Sequence, residues 1–305
     1  MNNPKISIVL PTYNGERYLA ASICSVVEQS ERSWELIIVD DASTDKSLII
    51  ANSFAKHDNR IRVVSNSVNK QLPASLNIGF ANAKGKYFTW TSDDNLYEKN
   101  ALAVMVEYLD RHGCTDLVSF GMDHIDENGK KIVEYVPIVK RHILELAYRC
   151  NIGAAFMYRA SSAKRVGKYD EQMFCAEDYE YWIRIALNGK IDYVDDMKLY
   201  SYRIHKHNLT ATKKREVHEK TFLIQEKYLY EFIKKFELGY LECAILIFLT
   251  HLKKSNKEFM RYWSIFFVLW IYKKLIKTTA MFIPQKKWRH VFREQRAIRI
   301  KEIKR

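Results

Sequence analysis

Short apolar runs alternate with longer stretches of helical periodicity over the first hundred residues, the pattern of a parallel sheet covered by helices. Ile6 to Leu10 reads as a first strand, followed by the turn Pro11-Thr12-Tyr13-Asn14-Gly15. A helix is expected over Glu16 to Gln29, with Leu19, Ile23, Val26 and Val27 near helical spacing. Trp34 to Val39 is the second strand and runs into Asp40-Asp41-Ala42-Ser43-Thr44-Asp45, where Ser43 or Thr44 is the expected cap of a helix reaching Lys56. Ile61 to Ser65 is the third strand, Pro73 to Ala83 the third helix with Gly85 as its C-terminal cap, and Tyr87 to Thr91 the fourth strand. That strand ends at Ser92-Asp93-Asp94-Asn95.

Beyond it the pattern predicts a helix over Glu98 to Arg111, a strand over Asp116 to Phe120 and a hairpin turn at Asp126-Glu127-Asn128-Gly129. A helix around His142 to Arg149, a strand near Ala154 to Tyr158 and a helix from Asp178 to Asn188, closed by Gly189, complete the body. From Glu216 onward the chain reads as helical and rich in Lys, aromatic and aliphatic residues. The expected organisation is an α/β domain over 1–212 and a helical, basic region over 213–305.

Composition narrows the class. With 305 residues, 48% hydrophobic and 28% charged, only 10 Gly and 5 Pro, a disordered or collagen-like chain is excluded. The formal charge of +13 is placed unevenly: residues 1–250 are balanced, while 251–305 hold 16 Lys and Arg against 3 acidic residues. A neutral body with a basic end argues against a nucleic-acid-binding enzyme and fits an anionic membrane surface. Five cysteines without a C-x-x-C pair give neither a disulfide framework nor a zinc site, which implies a reducing compartment. No signal peptide precedes Ile6, so a cytoplasmic location is expected. The longest apolar stretch, Tyr262 to Tyr272, has 11 residues and is too short to span a bilayer.

In an open parallel sheet, ligands bind beyond the carboxyl ends of the strands. Three polar clusters fall there: Pro11-Thr12-Tyr13-Asn14, Asp40-Asp41 and Ser92-Asp93-Asp94-Asn95. Any one of them could simply begin a turn or cap a helix. Three at equivalent strand ends, two of them with paired carboxylates, suggest a shared polar ligand. No G-x-G-x-x-G or G-x-x-x-x-G-K-[ST] run is present, so phosphate must be held without a glycine cradle. Adjacent carboxylates at a buried strand end repel one another unless a cation or hydrogen-bond donors compensate. Mg²⁺ typically takes one or two carboxylates plus phosphate oxygens, which Asp93 and Asp94 match and which points to a diphosphate ligand.

These residues carry a resemblance. Ile6-Ser7-Ile8-Val9-Leu10-Pro11-Thr12-Tyr13-Asn14, Ser25-Val26-Val27-Glu28-Gln29 and Glu35-Leu36-Ile37-Ile38-Val39-Asp40-Asp41-Ala42-Ser43-Thr44-Asp45 resemble the start of a family 2 nucleotide-sugar glycosyltransferase with the GT-A fold. The match continues through Leu76-Asn77-Ile78-Gly79, Gly85-Lys86-Tyr87, Ser92-Asp93-Asp94-Asn95 and Ala176-Glu177-Asp178-Tyr179, over about residues 1 to 210. The resemblance implies a Rossmann-like, mostly parallel sheet flanked by helices. It also implies that Pro11, Thr12, Tyr13, Asp41 and Asp93 hold the nucleotide, that Asp94 ligates a divalent metal, Mg²⁺ or Mn²⁺, and that Asp178 is the catalytic base. Glu177 beside it is assigned to substrate. The chain departs from the family in two places. Many members have Asp where this chain has Ser92, and many have Arg where it has Leu76, so the basic nucleotide contact is assigned to Lys70. No Q-x-x-R-W run is present, which favours single addition over processive synthesis.

The implied chemistry is an inverting transfer of a sugar from a nucleoside diphosphate donor, a UDP-sugar, to a hydroxyl of a growing surface polysaccharide such as O-antigen or capsule, or of a lipid-linked saccharide. The metal would stabilise the leaving diphosphate and Asp178 would take the acceptor proton. A carboxylate pair opening a helix also has a plain electrostatic reading, through the helix dipole. Trp182, one turn beyond Asp178, is expected either to stack on a sugar or to pack in the core. In Tyr202-Arg203-Ile204-His205-Lys206-His207, the resemblance makes His205 a second metal ligand. A catalytically silent nucleotide-sugar-binding or scaffold protein is the alternative, which Ser92 and Leu76 leave open. The aromatic and cationic tail is expected to hold the protein on the inner face of the cell membrane, or else to pack as a helical subdomain.

Overall fold

The computed structural model describes residues 3–133 and 141–239. Nine strands form one sheet in the order β3-β2-β1-β4-β8-β6-β9-β5, with β7 paired to β6. The strands are β1 (Ile6–Thr12), β2 (Trp34–Asp40), β3 (Ile61–Ser65), β4 (Tyr87–Trp90), β5 (Leu96–Tyr97), β6 (Leu117–Ile125), β7 (Lys131–Val133), β8 (Phe156–Arg159) and β9 (Ile191–Arg203). The first four are mutually parallel, β8 runs antiparallel to β4 and β6, and β9 returns parallel to β6. Helices α1 (Leu19–Val27), α2 (Ser47–His57), α3 (Leu72–Ala81), α4 (Ala101–Arg111), α5 (Ala160–Val166), α6 (Glu177–Asn188), α7 (Leu209–Thr212) and α8 (Lys214–Lys235) complete the described elements.

Every residue of β1 and β2 is buried, as a strand covered on both faces requires, which is why their sequences are mostly apolar, with the buried Ser7 and Glu35 bonded to each other. Ile6, Ile8 and Leu10 share one core with Leu19, Ile23 and Val26 of α1 and Leu102, Met105 and Leu109 of α4. Burying each such side chain fully contributes about 1.5–3 kcal/mol. On the opposite face α3 comes so close that a Cβ at Gly79 would meet a Val9 methyl at 2.4 Å. Phe80 of α3 stacks on Phe88 and Tyr169, extending an aromatic cluster to Tyr158 and Tyr181. The parallel register Thr12↔Asp40 brings the ends of β1 and β2 side by side, which is what assembles the polar clusters.

Several local expectations change. Neither Ser43 nor Thr44 caps α2, which starts at Ser47. Ser43 Oγ instead accepts from the Asn14 N–H, and the Thr44 N–H donates to Asn14 Oδ1, tying the two loops together. Gly85 does not cap α3, whose C-terminal cap is Asn82. Gly85 is needed because a Cβ there would lie 2.5 Å from the Ser7 backbone nitrogen. The segment expected as an α-helix around 142–149 is a 3-10 turn, Ile143–Ala147, begun by a bond from the Leu144 N–H to His142 Nδ1.

Helix α8 lies beyond the boundary expected near 212 and packs on α6. Its Tyr228 hydroxyl donates to the buried Glu180 carboxylate, which Arg184 also engages at 3.0 Å through Nε. Gln225 Nε2 donates to the Tyr148 carbonyl at 2.7 Å. Among the described residues no helix is long and apolar enough to cross a membrane. The basic tail over 251–305, with its Tyr262 to Tyr272 segment, lies outside the described residues.

Candidate active site

The site is built where β1, β2 and β4 end. Pro11 and Thr12 close β1 and are buried. Thr12 Oγ1 donates to Asp93 Oδ2 at 2.6 Å, and the Tyr13 N–H bonds to the same carboxylate. Gly15 is the counterpart of this contact, since a Cβ there would meet Asp93 Oδ2 at 2.1 Å. Burial, followed by the neighbouring charge of Asp94, pushes the Asp93 carboxyl up to about 7. Asp41 is buried, and its Oδ1 accepts from Asn66 Nδ2 and from the Lys70 N–H, each at 2.8 Å. Lys70 thus reaches this cluster through its backbone, while its side chain is exposed. Tyr13 is 51% exposed, which leaves its ring free to cover a flat ligand.

Asp94 is held differently. Its Oδ2 faces His205 Nε2 at 3.0 Å and accepts from Asn208 Nδ2 at 3.0 Å, while its Oδ1 is buried with no hydrogen-bond partner among the described residues. The His207 N–H points at His205 Nδ1 from 3.2 Å. That contact makes Nδ1 the acceptor and gives the proton to Nε2, which donates to Asp94. His205 therefore stands against Asp94 as a hydrogen-bond donor in this arrangement, with its ring 5.2 Å from Tyr18. Arg203, 4% exposed, donates from its backbone N–H to Asn95 Oδ1 at 2.7 Å and from Nε to the Asp94 carbonyl at 2.8 Å. Its guanidinium lies 4.6 Å from the centre of the Tyr18 ring.

The second acidic pair opens α6. Glu177 and Asp178 occupy the first turn, after Cys175 takes a left-handed φ of +75° that turns the chain into the helix. Asp178 Oδ1 accepts from the Tyr179 N–H at 2.6 Å. Glu177 is 4% exposed and its Oε2 is buried with no partner among the described residues. Burial and then the charge of Asp178 raise the Glu177 carboxyl to about 8, and burial raises Asp178 as well. Burial raises both members of this adjacent pair, and the charge of Asp178 adds to the rise at Glu177, which makes Glu177 the better place for a proton.

Burial first, then the charges of Asp94 and Asp178 against a hydrogen bond to Thr210, push the Tyr202 hydroxyl up. Its ring meets that of His124 edge-on, with centroids 5.8 Å apart.

Trp182 does not belong to this site. It is 1% exposed and packs edge-on against Phe156 and Tyr158, so its indole is part of the core and offers no face to a sugar. Leu76 is likewise fully buried on α3. The sequence reading passed over Arg203, Asn208, Tyr18 and Tyr202 as site residues. Tyr202 and Arg203 precede His205 in the segment already singled out, and Asn208 follows His205 by three residues.

No group of three or more His, Cys, Asp or Glu side chains converges as a metal cage among the described residues. A hard cation shared with a diphosphate needs only one or two protein carboxylates, and Asp94 supplies a buried oxygen without a partner. The residues present therefore fit such an ion.

The model of the family described as Glycosyl transferase family 2 matches residues 7–167 of this sequence. The chain belongs to glycosyl transferase family 2. A protein of Bacillus subtilis (strain 168) named as glycosyltransferase EpsE is 34% identical over 205 residues, or 66% of this chain and 74% of that protein. The uncharacterized glycosyltransferase MJ1057 of Methanocaldococcus jannaschii is 30% identical over 213 residues, 67% of this chain and 72% of that one. Among solved structures, S. aureus TarS 1-349 in complex with UDP-GlcNAc superposes with a TM-score of 0.65 at 20% identity, over 86% of this chain and 80% of that one. Mannosyltransferase PcManGT from Pyrobaculum calidifontis, in complex with GDP-Man and Mn²⁺, gives 0.59 at 17% identity, over 92% and 77%. Against a longer TarS structure the chain spans 44% of the length. The fold is GT-A-like, and this family 2 member is a glycosyltransferase.

Proposed function

We propose that this glycosyltransferase moves a sugar, with inversion at the anomeric carbon, from a UDP-sugar to a hydroxyl of a growing surface polysaccharide or lipid-linked saccharide. The observation that carries the reading is Asp94 at the end of β4, whose Oδ2 is held by His205 and Asn208 while Oδ1 is buried without a hydrogen-bond partner among the described residues, in a member of glycosyl transferase family 2. In this reading Thr12, Tyr13, Asp41 and Asp93 bind the nucleoside part of the donor, with Tyr13 lying against the base. Asp94, with His205 beside it, holds Mg²⁺ or Mn²⁺. When bound, the ion supplies Lewis-acid stabilisation of the leaving diphosphate. Asp178 accepts the proton of the attacking hydroxyl, helped by burial that raises its basicity. Glu177, holding the pair's proton, donates a hydrogen bond to substrate. One carboxylate base opposite a leaving diphosphate favours a single displacement, hence inversion.

The experiment is a panel of UDP- and GDP-sugars incubated with the full chain, Mn²⁺ or Mg²⁺, and saccharide acceptors, with the product's anomeric configuration read by NMR. A UDP-sugar is expected to be consumed and the glycosidic configuration inverted. A retained configuration, or turnover of GDP-sugars alone, would overturn the respective part of the reading.

The basic tail is proposed to hold the enzyme peripherally on the inner face of the cell membrane, through roughly 1 kcal/mol per cation near anionic lipid. Sedimentation with anionic vesicles at low salt is expected and should weaken at high salt. A chain lacking 251–305 that sediments equally well would defeat this assignment.

A further inference from the structure

A carboxylate that serves a ligand must present one oxygen in a fixed direction, and a lone side chain at the end of a loop does not do so by itself. Each carboxylate oxygen can accept about two hydrogen bonds. Oδ2 of Asp94 receives two, from His205 Nε2 and Asn208 Nδ2, while Oδ1 receives none among the described residues. This asymmetry fixes the carboxylate's rotation. Asn208 is itself locked, because Nδ2 also donates to the Arg203 carbonyl at 3.1 Å and Oδ1 accepts from the His205 N–H at 2.6 Å. Its amide cannot flip without losing those bonds.

Arg203 fixes the backbone beneath. It grips Asp94 and Asn95 through the bonds given above, and Nη1 donates to the carbonyls of Asp126 and Glu127 at 3.1 and 3.2 Å. The loop is bracketed on its far side by the pairing Leu96↔Ser201. Side chain and backbone of Asp94 are thus held by one short stretch, Arg203 to Asn208.

We propose that Asn208 and Arg203 are positioning residues of the donor site: Asn208 selects Oδ1 of Asp94 as the oxygen offered to a hard cation, and Arg203 fixes the height of the loop that carries it. The proposal rests on the reading of Asp94 as a donor-site carboxylate. Groups that orient a ligating carboxylate typically cost 10–100-fold in metal affinity or activity when removed. A purely structural asparagine would lower stability and leave ion affinity alone.

The test uses the full chain with UDP, and Mn²⁺ as the probe, its free fraction measured by electron paramagnetic resonance. Asn208→Ala is expected to weaken Mn²⁺ binding by about 10–100-fold, and Asn208→Ser, which keeps a donor, to recover part of the loss. Arg203→Lys should also weaken binding, since its amine cannot reach both the Asp94 carbonyl and the 126–127 turn. Asn77→Ala is the control. That amide bonds to Tyr169 N–H and carbonyl and to Glu171, away from Asp94, so its loss should lower Tm without changing Mn²⁺ affinity. If Asn208→Ala binds Mn²⁺ within twofold of wild type while Asp94→Ala does not, the positioning role is wrong. Equal loss in Asn77→Ala would show general loosening and also overturn it. If Asp94→Ala itself binds as wild type does, the donor-site reading of Asp94 falls and the positioning role with it.

Discussion

The two acidic clusters of the candidate site differ in the donors around them. At the end of β4, Asp93 and Asp94 are surrounded by donors: Thr12, the Tyr13 N–H, His205 and Asn208. At the start of α6, Glu177 and Asp178 have little besides helix N–H groups, and one Glu177 oxygen has no partner among the described residues. Burial raises Asp93 as it raises the second pair, but only the first cluster has side-chain donors, which fix the direction of Asp94. The difference suits the proposed roles, because a ligand-holding carboxylate benefits from a fixed direction and a proton acceptor from a raised affinity for protons.

If that division is right, substitutions in the two clusters should separate binding from chemistry. The largest effect is expected for Asp178→Asn, which should reduce the transfer rate by roughly 10²–10⁴-fold while donor affinity, measured by titration of the nucleotide sugar, stays within about twofold of wild type. A matched loss of affinity would erase the distinction. Asp94→Ala should do the reverse, weakening Mn²⁺-dependent UDP binding by about 10–100-fold, as read by calorimetry. Unchanged binding would remove Asp94 from the donor end.

The smallest effect concerns stability and sharpens the claim about desolvation. Glu177 in the folded chain titrates near 8, above an ordinary glutamate, so its contribution is fully present below the unfolded pKa and is lost as pH rises through about 8. Glu177→Gln, neutral at all pH, should therefore match wild type at about pH 4 and be more stable at about pH 9, by at least roughly 2–4 °C in Tm. A wild-type protein that gains on the variant as pH rises would mean that Glu177 is paired with a cation when charged.

Much of the donor end was legible because it is local. β1 and β2 are mostly apolar runs, and the polar clusters follow β1, β2 and β4 closely, so Thr12, Asp41, Asp93 and Asp94 stood out by position as candidates, their roles coming from the resemblance. What could not be read was long range. Asp94 meets Arg203 across 109 residues and Asn208 across 114, through β9, a strand whose pairing with β6 shifts register on the way and whose alternation is correspondingly broken. Trp182 shows the converse difficulty. Its spacing from Asp178 allowed either face of α6, and only the aromatic cluster built by β8 decides that it points inward. The two-residue strand β5 carries no periodic signal at all and exists because β9 is there to pair with it.

The seat of α8 on α6 has a practical consequence for anyone shortening this chain. Glu180 is 1% exposed and bonds to Tyr228 as well as Arg184, while Ile224, Leu229 and Phe232 of α8 are buried. A version ending near residue 212 would strip α8 away and leave the Glu180 carboxylate without Tyr228, two residues from Asp178. Its silence in an assay would then report damage to the helix that carries Glu177 and Asp178. A chain lacking 251–305 loses the basic tail and keeps α8, so it can tell membrane attachment apart from loss of the enzyme.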